Sequence, residues 1–333
     1  MRPLPAAALL GALLLAGPAV AADHSFTLAY IPVKGTNYVE VVESLPARIA
    51  AATGGRVEIV VNPSLIGGPK LASAVQDGQV EMSAVLNGYL SASQPLLGLQ
   101  NLPGLIESLP DYLTLYDAFW GADMERVWRE HYGSEPLLAS VFCPQALVST
   151  QPIDAVGAFA GKKIRVHNTE TAQLVNAVGA KPTSIPAAEV LPALDRGVID
   201  GVFTASCWAL GQGFATVARY VTDWHVASIQ GWTVLMNAAA WASLPPDLQE
   251  AVRREMLAIQ TEQFAGYAAV SAAEAAAWTA EGVTYAEAAP AETAALFSPD
   301  HVAPVYQAWE ARAGERGLDG AAYLDRARAA LGR

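Results

Sequence analysis

The sequence predicts an α/β protein of two lobes that face each other across a cleft. Three observations carry this. The 333 residues suffice for two domains, and 53% hydrophobic against 16% charged residues allow a large core. The stretch 161–204 reads as β-α-β-α-β material, so its strands run parallel with their ends close together. Finally, Ala74-Val75-Gln76-Asp77-Gly78-Gln79-Val80-Glu81 echoes Ala193-Leu194-Asp195-Arg196-Gly197-Val198-Ile199-Asp200 in type and order. Each segment is a helix end, a turn and a strand. Such joints look alike in many folds, but the echo also fits two lobes on one plan, with Asn87 and Thr204 on opposite walls.

In chain order, residues 1–21 read as an export signal and are set aside from the fold. Arg2 supplies a positive start, residues 6–16 an apolar run short for a bilayer, and Ala19-Val20-Ala21 a cleavage site. No later stretch is long and apolar enough to span a membrane, so the mature protein is expected in the periplasm, soluble. Residues 26–31 form a strand by β-propensity and 37–53 a helix ended by Gly54-Gly55, with Pro46 expected to kink it. Residues 56–61 and 80–86 read as strands, 68–77 as a helix and 96–105 as an apolar loop. Residues 112–130 are helical, and 137–150 read as one strand crossing between lobes. The strand 163–166 leads to a helix capped by Asn168 or Thr169 and closed by Gly179. A helix over 188–196 and a strand over 198–204 follow. Residues 233–237 read as another strand, and 246–281 as a long helix interrupted mildly at Gly266. The tail, through Tyr306 and Trp309, is helical and clasps the rest.

The formal charge of −12 argues against nucleic acid, since a phosphate backbone needs a basic face. It leaves a small anion open, because one buried Arg dominates its own cleft. Catalytic motifs fail. There is no His-Glu-x-x-His and no Gly-x-Ser-x-Gly, and Gly157-x-x-x-Gly161-Lys162-Lys163 is one residue short of a phosphate-binding loop. The five His residues show no metal-like spacing and read as surface or packing groups, His167 beside Arg165 apart. No metal and no cofactor is expected. Cys143 and Cys207 could pair, as an exported protein favours, or remain buried thiols; the sequence leaves both readings open.

One constellation is more specific. Lys163-Ile164-Arg165-Val166 is followed by Glu189, Val190, Ala193, Leu194, Gly197, Asp200 and Gly201 in a Glu-Val-x-x-Ala-Leu-x-x-Gly-x-x-Asp-Gly pattern. Around it stand Gly54-Gly55-Arg56-Val57, Leu65-Ile66-Gly67-Gly68, Leu102-Pro103, Pro152-Ile153, and Trp241 with Leu244-Pro245. This array resembles the periplasmic substrate-binding proteins of TRAP transporters, the DctP family, over nearly the whole mature chain. The resemblance implies a two-lobed periplasmic-binding-protein-like fold with a central cleft, several crossings between lobes and a long C-terminal helix spanning both. It places residues 22–145 and 232–270 in lobe I, and 146–231 and 271–333 in lobe II.

The resemblance also implies a site. Arg165 matches the arginine that pairs with the ligand carboxylate, unless it is spent on Asp200 or Glu189. Gln145 stands where sialic-acid-binding members carry a second arginine. Asn168 follows the arginine strand, while Thr204 and Phe203 stand where many members have Asn or Trp and Glu. Asn87 and Tyr30 face the cleft from lobe I, Ile31, Leu90 and Ala187 make apolar walls, and Trp208 and Trp232 are aromatic wall candidates, although core packing is the commoner fate of Trp. With Arg165 as the one placed cation, the expected ligand is a monocarboxylate with an apolar or aromatic body, or a small keto acid; Lys34 or Lys181 could supply a second cation. The expected function is a monomeric receptor, not an enzyme, that closes on a small organic acid and delivers it to TRAP membrane subunits. The alternatives are a secreted hydrolase or lyase using Asp200 or Glu189, and a receptor of an ATP-driven uptake system.

Overall fold

A computed structural model describes residues 22–63 and 66–333; the expected export signal and Leu65 lie outside them. Two sheets organise the chain. The first holds β1 (His24–Tyr30), β2 (Val57–Pro63), β3 (Met82–Leu86), β4 (Ser134–Val141) and β10 (Gly231–Asn237) in the order β2-β1-β3-β10-β4. The second holds β5 (Gln145–Ser149), β6 (Lys163–Arg165), β7 (Lys181–Thr183), β8 (Gly201–Ala205), β9 (Tyr220–Asp223) and β11 (Thr284–Glu287) in the order β11-β9-β5-β8-β6-β7. The stretch 163–204 is indeed a parallel unit: β6 pairs parallel with both β7 and β8.

The chain crosses between the sheets after β4, again after β9, and a third time from β10 to β11. The single strand expected over 137–150 is two strands, because Pro144 lacks the N–H to continue a ladder. β4 therefore pairs with β10 in the first sheet, and β5 with β8 and β9 in the second. The second crossing contains two non-glycine residues in left-handed backbone, His225 at φ 55° and Ala227 at φ 50°. That conformation costs an L-residue roughly 1–2 kcal/mol, so neighbouring contacts must hold it.

Helices cover both sheets. Asn37–Ala52 is capped by Thr36, whose hydroxyl oxygen accepts from the Val39 N–H, and continues through Pro46. Pro246–Ala280 is one unbroken helix; Gly266 does not interrupt it, since the i to i−4 ladder on either side carries the turn. It packs on β4 and on Asn37–Ala52 at one end, and on β11 and the short helix Ser206–Gly211 at the other. The tail clasps both halves: the helix Pro299–Glu315 packs on Thr169–Ala177, while Trp309 Nε1 donates to the Pro95 carbonyl (2.8 Å) and the Tyr306 hydroxyl to the Pro103 carbonyl (2.9 Å). No helix among the described residues is long and apolar enough to cross a membrane.

Tyr38 shows how the first lobe sets its cleft face. The side chain is fully buried, donates to the Ala84 carbonyl (2.9 Å), and accepts from the Ile31 N–H (3.2 Å). Its ring stacks on Phe142 and meets Trp232 edge-on, with centroids 5.0 and 4.9 Å away. One phenol thus joins the end of β1, β3, β10 and the first crossing. On the second side, Cys143 and Cys207 form a disulfide that fastens this crossing to the helix Ser206–Gly211. Beside it the buried Glu274 has no well-aligned hydrogen-bond donor for either carboxylate oxygen. Burial pushes its carboxyl up to about 7, partly offset by the nearby Ser206 hydroxyl, while the Asp223 charge adds to the rise.

Candidate functional site

Between the sheets lies a pocket of roughly 450 Å³, counting its open mouth. Ile31, Val33, Leu86 and Tyr89 line it from the first sheet's side. Arg165, His167, Ala187, Thr204, Ala205 and Trp208 line it from the second, and Phe142 and Gln230 from the crossings.

Arg165 ends β6, between β7 and β8, at the end of a parallel ladder where open sheets bind ligands. It is only 3% exposed. Its Nε and Nη2 both donate to the Ile185 carbonyl at 3.2 Å, which anchors one edge of the guanidinium. Among the described residues no carboxylate forms a salt bridge with it. Neither suspected acid is spent on it. The Asp200 carboxylate accepts from the Lys163 N–H at 2.7 Å, and Glu189 is exposed. Burial pushes the Arg165 guanidinium below its ordinary range, with Tyr89 offsetting part of the effect. A buried guanidinium with an anchored edge and no counter-ion presents a rigid fork to a carboxylate.

His167, two residues on, shares the pocket. Its ring meets Tyr89 edge-on at 5.8 Å, and its Nε2 lies 3.4 Å from Gln230 Oε1. Burial first, and the Arg165 charge second, push it down to about 4, so at neutral pH it is uncharged. Arg165 is then the one permanent cation among the lining residues. Lys34 and Lys181 are both exposed and line no part of the pocket.

The family described as bacterial extracellular solute-binding protein, family 7 (DctP), matches residues 28–312. The chain belongs to the DctP family. A solute-binding protein of Roseobacter denitrificans is 28% identical over 208 residues, 61% of this chain and 63% of that protein. A monocarboxylate 2-oxoacid-binding periplasmic protein of Nostoc is 26% identical over 218 residues, 62% of this chain and 58% of that one. The chain thus matches less than two thirds of the length of either relative. A solved Bordetella pertussis extracytoplasmic solute receptor binding pyroglutamic acid superposes with a TM-score of 0.83 at 23% identity, over 91% of this chain and 99% of that one. These findings make the fold that of the TRAP solute-binding proteins.

In this DctP chain the expected site residues separate into two groups. Arg165, Thr204 and Trp208 line the pocket together, with Ile31 and Ala187. The other six site residues, and Leu90, are buried around it. Phe203 alternates with Thr204 along β8, so it faces the core and stacks on Phe159 at 6.3 Å. Tyr30 precedes the lining residue Ile31, and its hydroxyl turns away to donate to Glu43 at 2.9 Å. Trp232 is wholly buried against Tyr38. Asn168 caps the helix Thr169–Ala177, its Oδ1 accepting from the Thr171 N–H at 2.8 Å. Gln145 Nε2 donates to the Val226 carbonyl at 2.9 Å and so braces the second crossing. Asn87 begins a tight helical turn, Asn87–Leu90, which rotates it inward to accept from the Thr233 hydroxyl (2.9 Å) and brings Tyr89 to the pocket instead. Leu90, in the same turn, packs into the core.

Gln230, Phe142, Val33 and Leu86 escaped the sequence reading. His167 carried a legible signal: it stands two residues from Arg165, the period of a strand. Gln230 carried none, for it precedes β10 in an irregular segment.

Proposed function

We propose that this protein is an exported receptor that closes on a small organic monocarboxylate and hands it to a TRAP membrane transporter. The observation that carries the reading is Arg165: a buried cation lining the pocket, anchored on Ile185 and lacking a protein counter-ion. A carboxylate seated there would supply the missing charge. A second carboxylate would find no second cation in the lining, and an unpaired buried charge is very costly. Ile31, Val33, Leu86, Ala187 and Trp208 offer few partners for sugar hydroxyls and suit a compact apolar or planar body. The Nostoc relative's 2-oxoacids and the Bordetella receptor's pyroglutamic acid are both monocarboxylates of that kind.

The mechanism is binding and hinge motion. Lining residues come from both sheets, so a ligand that touches them all favours the closed form by its differential affinity. The crossings at 142–144 and 224–230 take up the motion. Residues 1–21 serve as the export signal, and the receptor acts as a monomer without turnover. Calorimetric titration with pyroglutamate, 2-oxo monoacids, succinate and galacturonate tests the reading: monoacids should bind more tightly than the diacid and the sugar acid. The reverse order would sink it.

A further inference from the structure

We propose that the pocket also demands a hydrogen-bond donor from its ligand, an N–H or O–H on the body of the acid, received by Gln230 Oε1. This rests on the carboxylate reading above and specifies the ligand's other pole. The argument is one of amide polarity, set by a relay that begins 82 residues from Gln230 in sequence, at Arg312.

Arg312 lies on the C-terminal helix Pro299–Glu315, and its Nη2 pairs with Glu170 Oε1 at 2.6 Å. Glu170 is fully buried at the start of the helix Thr169–Ala177. Burial pushes the Glu170 carboxyl up, the Arg312 charge opposes this, and the ion pair keeps Glu170 a carboxylate that only accepts hydrogen bonds. The neighbouring Asn101 must therefore turn its amide nitrogen toward Glu170 Oε2, 3.3 Å away. Its Oδ1 then faces the other way and accepts from Gln230 Nε2 at 2.8 Å. Gln230 Nε2 spends its second hydrogen on the Ala227 carbonyl at 2.9 Å. Two independent anchors thus give the same amide orientation.

Gln230 lines the pocket, and with both amide hydrogens spent its Oε1 is the polar atom left to offer there. Its one side-chain hydrogen-bond partner among the described residues is His167 Nε2, at a long 3.4 Å. A carbonyl oxygen has two lone pairs, so it can take a ligand donor besides. Gly88 lets the backbone come close: a Cβ there would sit 3.3 Å from Gln230 Oε1 and 3.4 Å from Asn101 Nδ2. The consequence is a pocket with opposite preferences at its two poles. Arg165 donates, and Gln230 accepts.

Matched ligands test this in the full mature chain. One pair is the lactam acid pyroglutamate and its ring-oxygen lactone, 5-oxotetrahydrofuran-2-carboxylate. The second is 2-hydroxyisobutyrate and its 2-methoxy ether. By calorimetry the donor-bearing member of at least one pair should bind at least about tenfold more tightly, because a buried acceptor left unmatched is costly. In Gln230→Met, which removes the acceptor at similar volume, that preference should fall to about twofold or less. Glu170→Gln, if its melting curve shows it folded, should also narrow the preference, since a neutral amide no longer dictates which way Asn101 turns. Acids that bind without preference in either pair overturn the inference and leave the carboxylate receptor standing. An unchanged preference in Gln230→Met overturns the role of Gln230. Failure of every acid to bind removes the carboxylate reading, and this inference with it.

Discussion

Gly35 and Gly211 meet across the cleft with no room for a side chain: a Cβ on Gly35 would lie 2.8 Å from Gly211 Cα, and one on Gly211 would lie 2.6 Å from the Lys34 carbonyl oxygen. Gly35 belongs to the turn after β1, and Gly211 ends the helix that follows β8, so the contact joins the two halves of the molecule. Gly211→Ala should keep this mouth from closing fully. Relieving such an overlap typically costs about 1–3 kcal/mol, so ligand affinity should fall roughly five- to hundredfold. The melting temperature without ligand should stay nearly unchanged. Calorimetry and a thermal melt on the same sample check both halves, and unaltered affinity would show that closure does not need this contact.

Arg165→Ala should abolish most binding while leaving a folded protein. A buried charge pair left half made costs about 3–5 kcal/mol, roughly a hundred- to several-thousandfold in affinity. Arg165→Lys should recover little, because a point charge cannot hold the Ile185 carbonyl and present a fork at once. Near-wild-type affinity in a folded Arg165→Ala protein would remove this residue from the site.

Glu274 predicts a pH dependence of stability. Its folded value, about 7, lies above the ordinary 4.5, so the folded state prefers the protonated form. The penalty is absent below about pH 4.5 and grows as pH rises toward and past 7. Glu274→Gln should therefore stabilise the protein at pH 8 by on the order of 2–3 kcal/mol and change little at pH 4.5. Denaturant melts of both proteins at the two pH values measure the difference, and a gain equal at both would contradict the assignment.

The disulfide closes a loop of 64 residues between Cys143 and Cys207. Chain-entropy arguments give such a loop about 4 kcal/mol, and measured values commonly run about 2–4. A Cys143→Ala/Cys207→Ala double variant should lose stability in that range in urea, with the slope of the transition revealing any change in the unfolded chain. A loss near zero would mean that Trp208 and the bond from Trp278 Nε1 to the Ser206 hydroxyl (2.7 Å) hold this corner unaided.

Small-angle scattering should show a monomer whose radius of gyration shrinks when a bound acid draws the halves together. An identical profile at saturating ligand would argue against a closing cleft.

Much of the architecture was legible because it rests on local rules. Glycines after helices, Asn168 as a cap and the strand–helix alternation from Lys163 to Thr204 state themselves in sequence. The pocket was legible only where a strand's phase could be fixed. Arg165 and Thr204 came out on the cavity side, but Tyr30 and Phe203 each sit one residue away from a lining neighbour, Ile31 and Thr204. A single step along a strand exchanges faces, and nothing local decides which face looks inward. Asn87 and Tyr89 illustrate a second limit: a helical turn of four residues after β3 rotates the chain past the point where strand alternation applies. Gln230 marks a third. Its role depends on Asn101 and Glu170, 129 and 60 positions away, and such a relay exists only once the chain has folded.

The long helix Pro246–Ala280 lies along both halves and makes the last of three crossings between them, so neither half is a continuous length of chain. A gene segment cut at any one junction encodes no complete half. A single exchange of gene segments therefore cannot replace one wall of the pocket whole, and a change in what the pocket accepts is reached more directly by substitutions at lining residues such as Gln230 and Ala187.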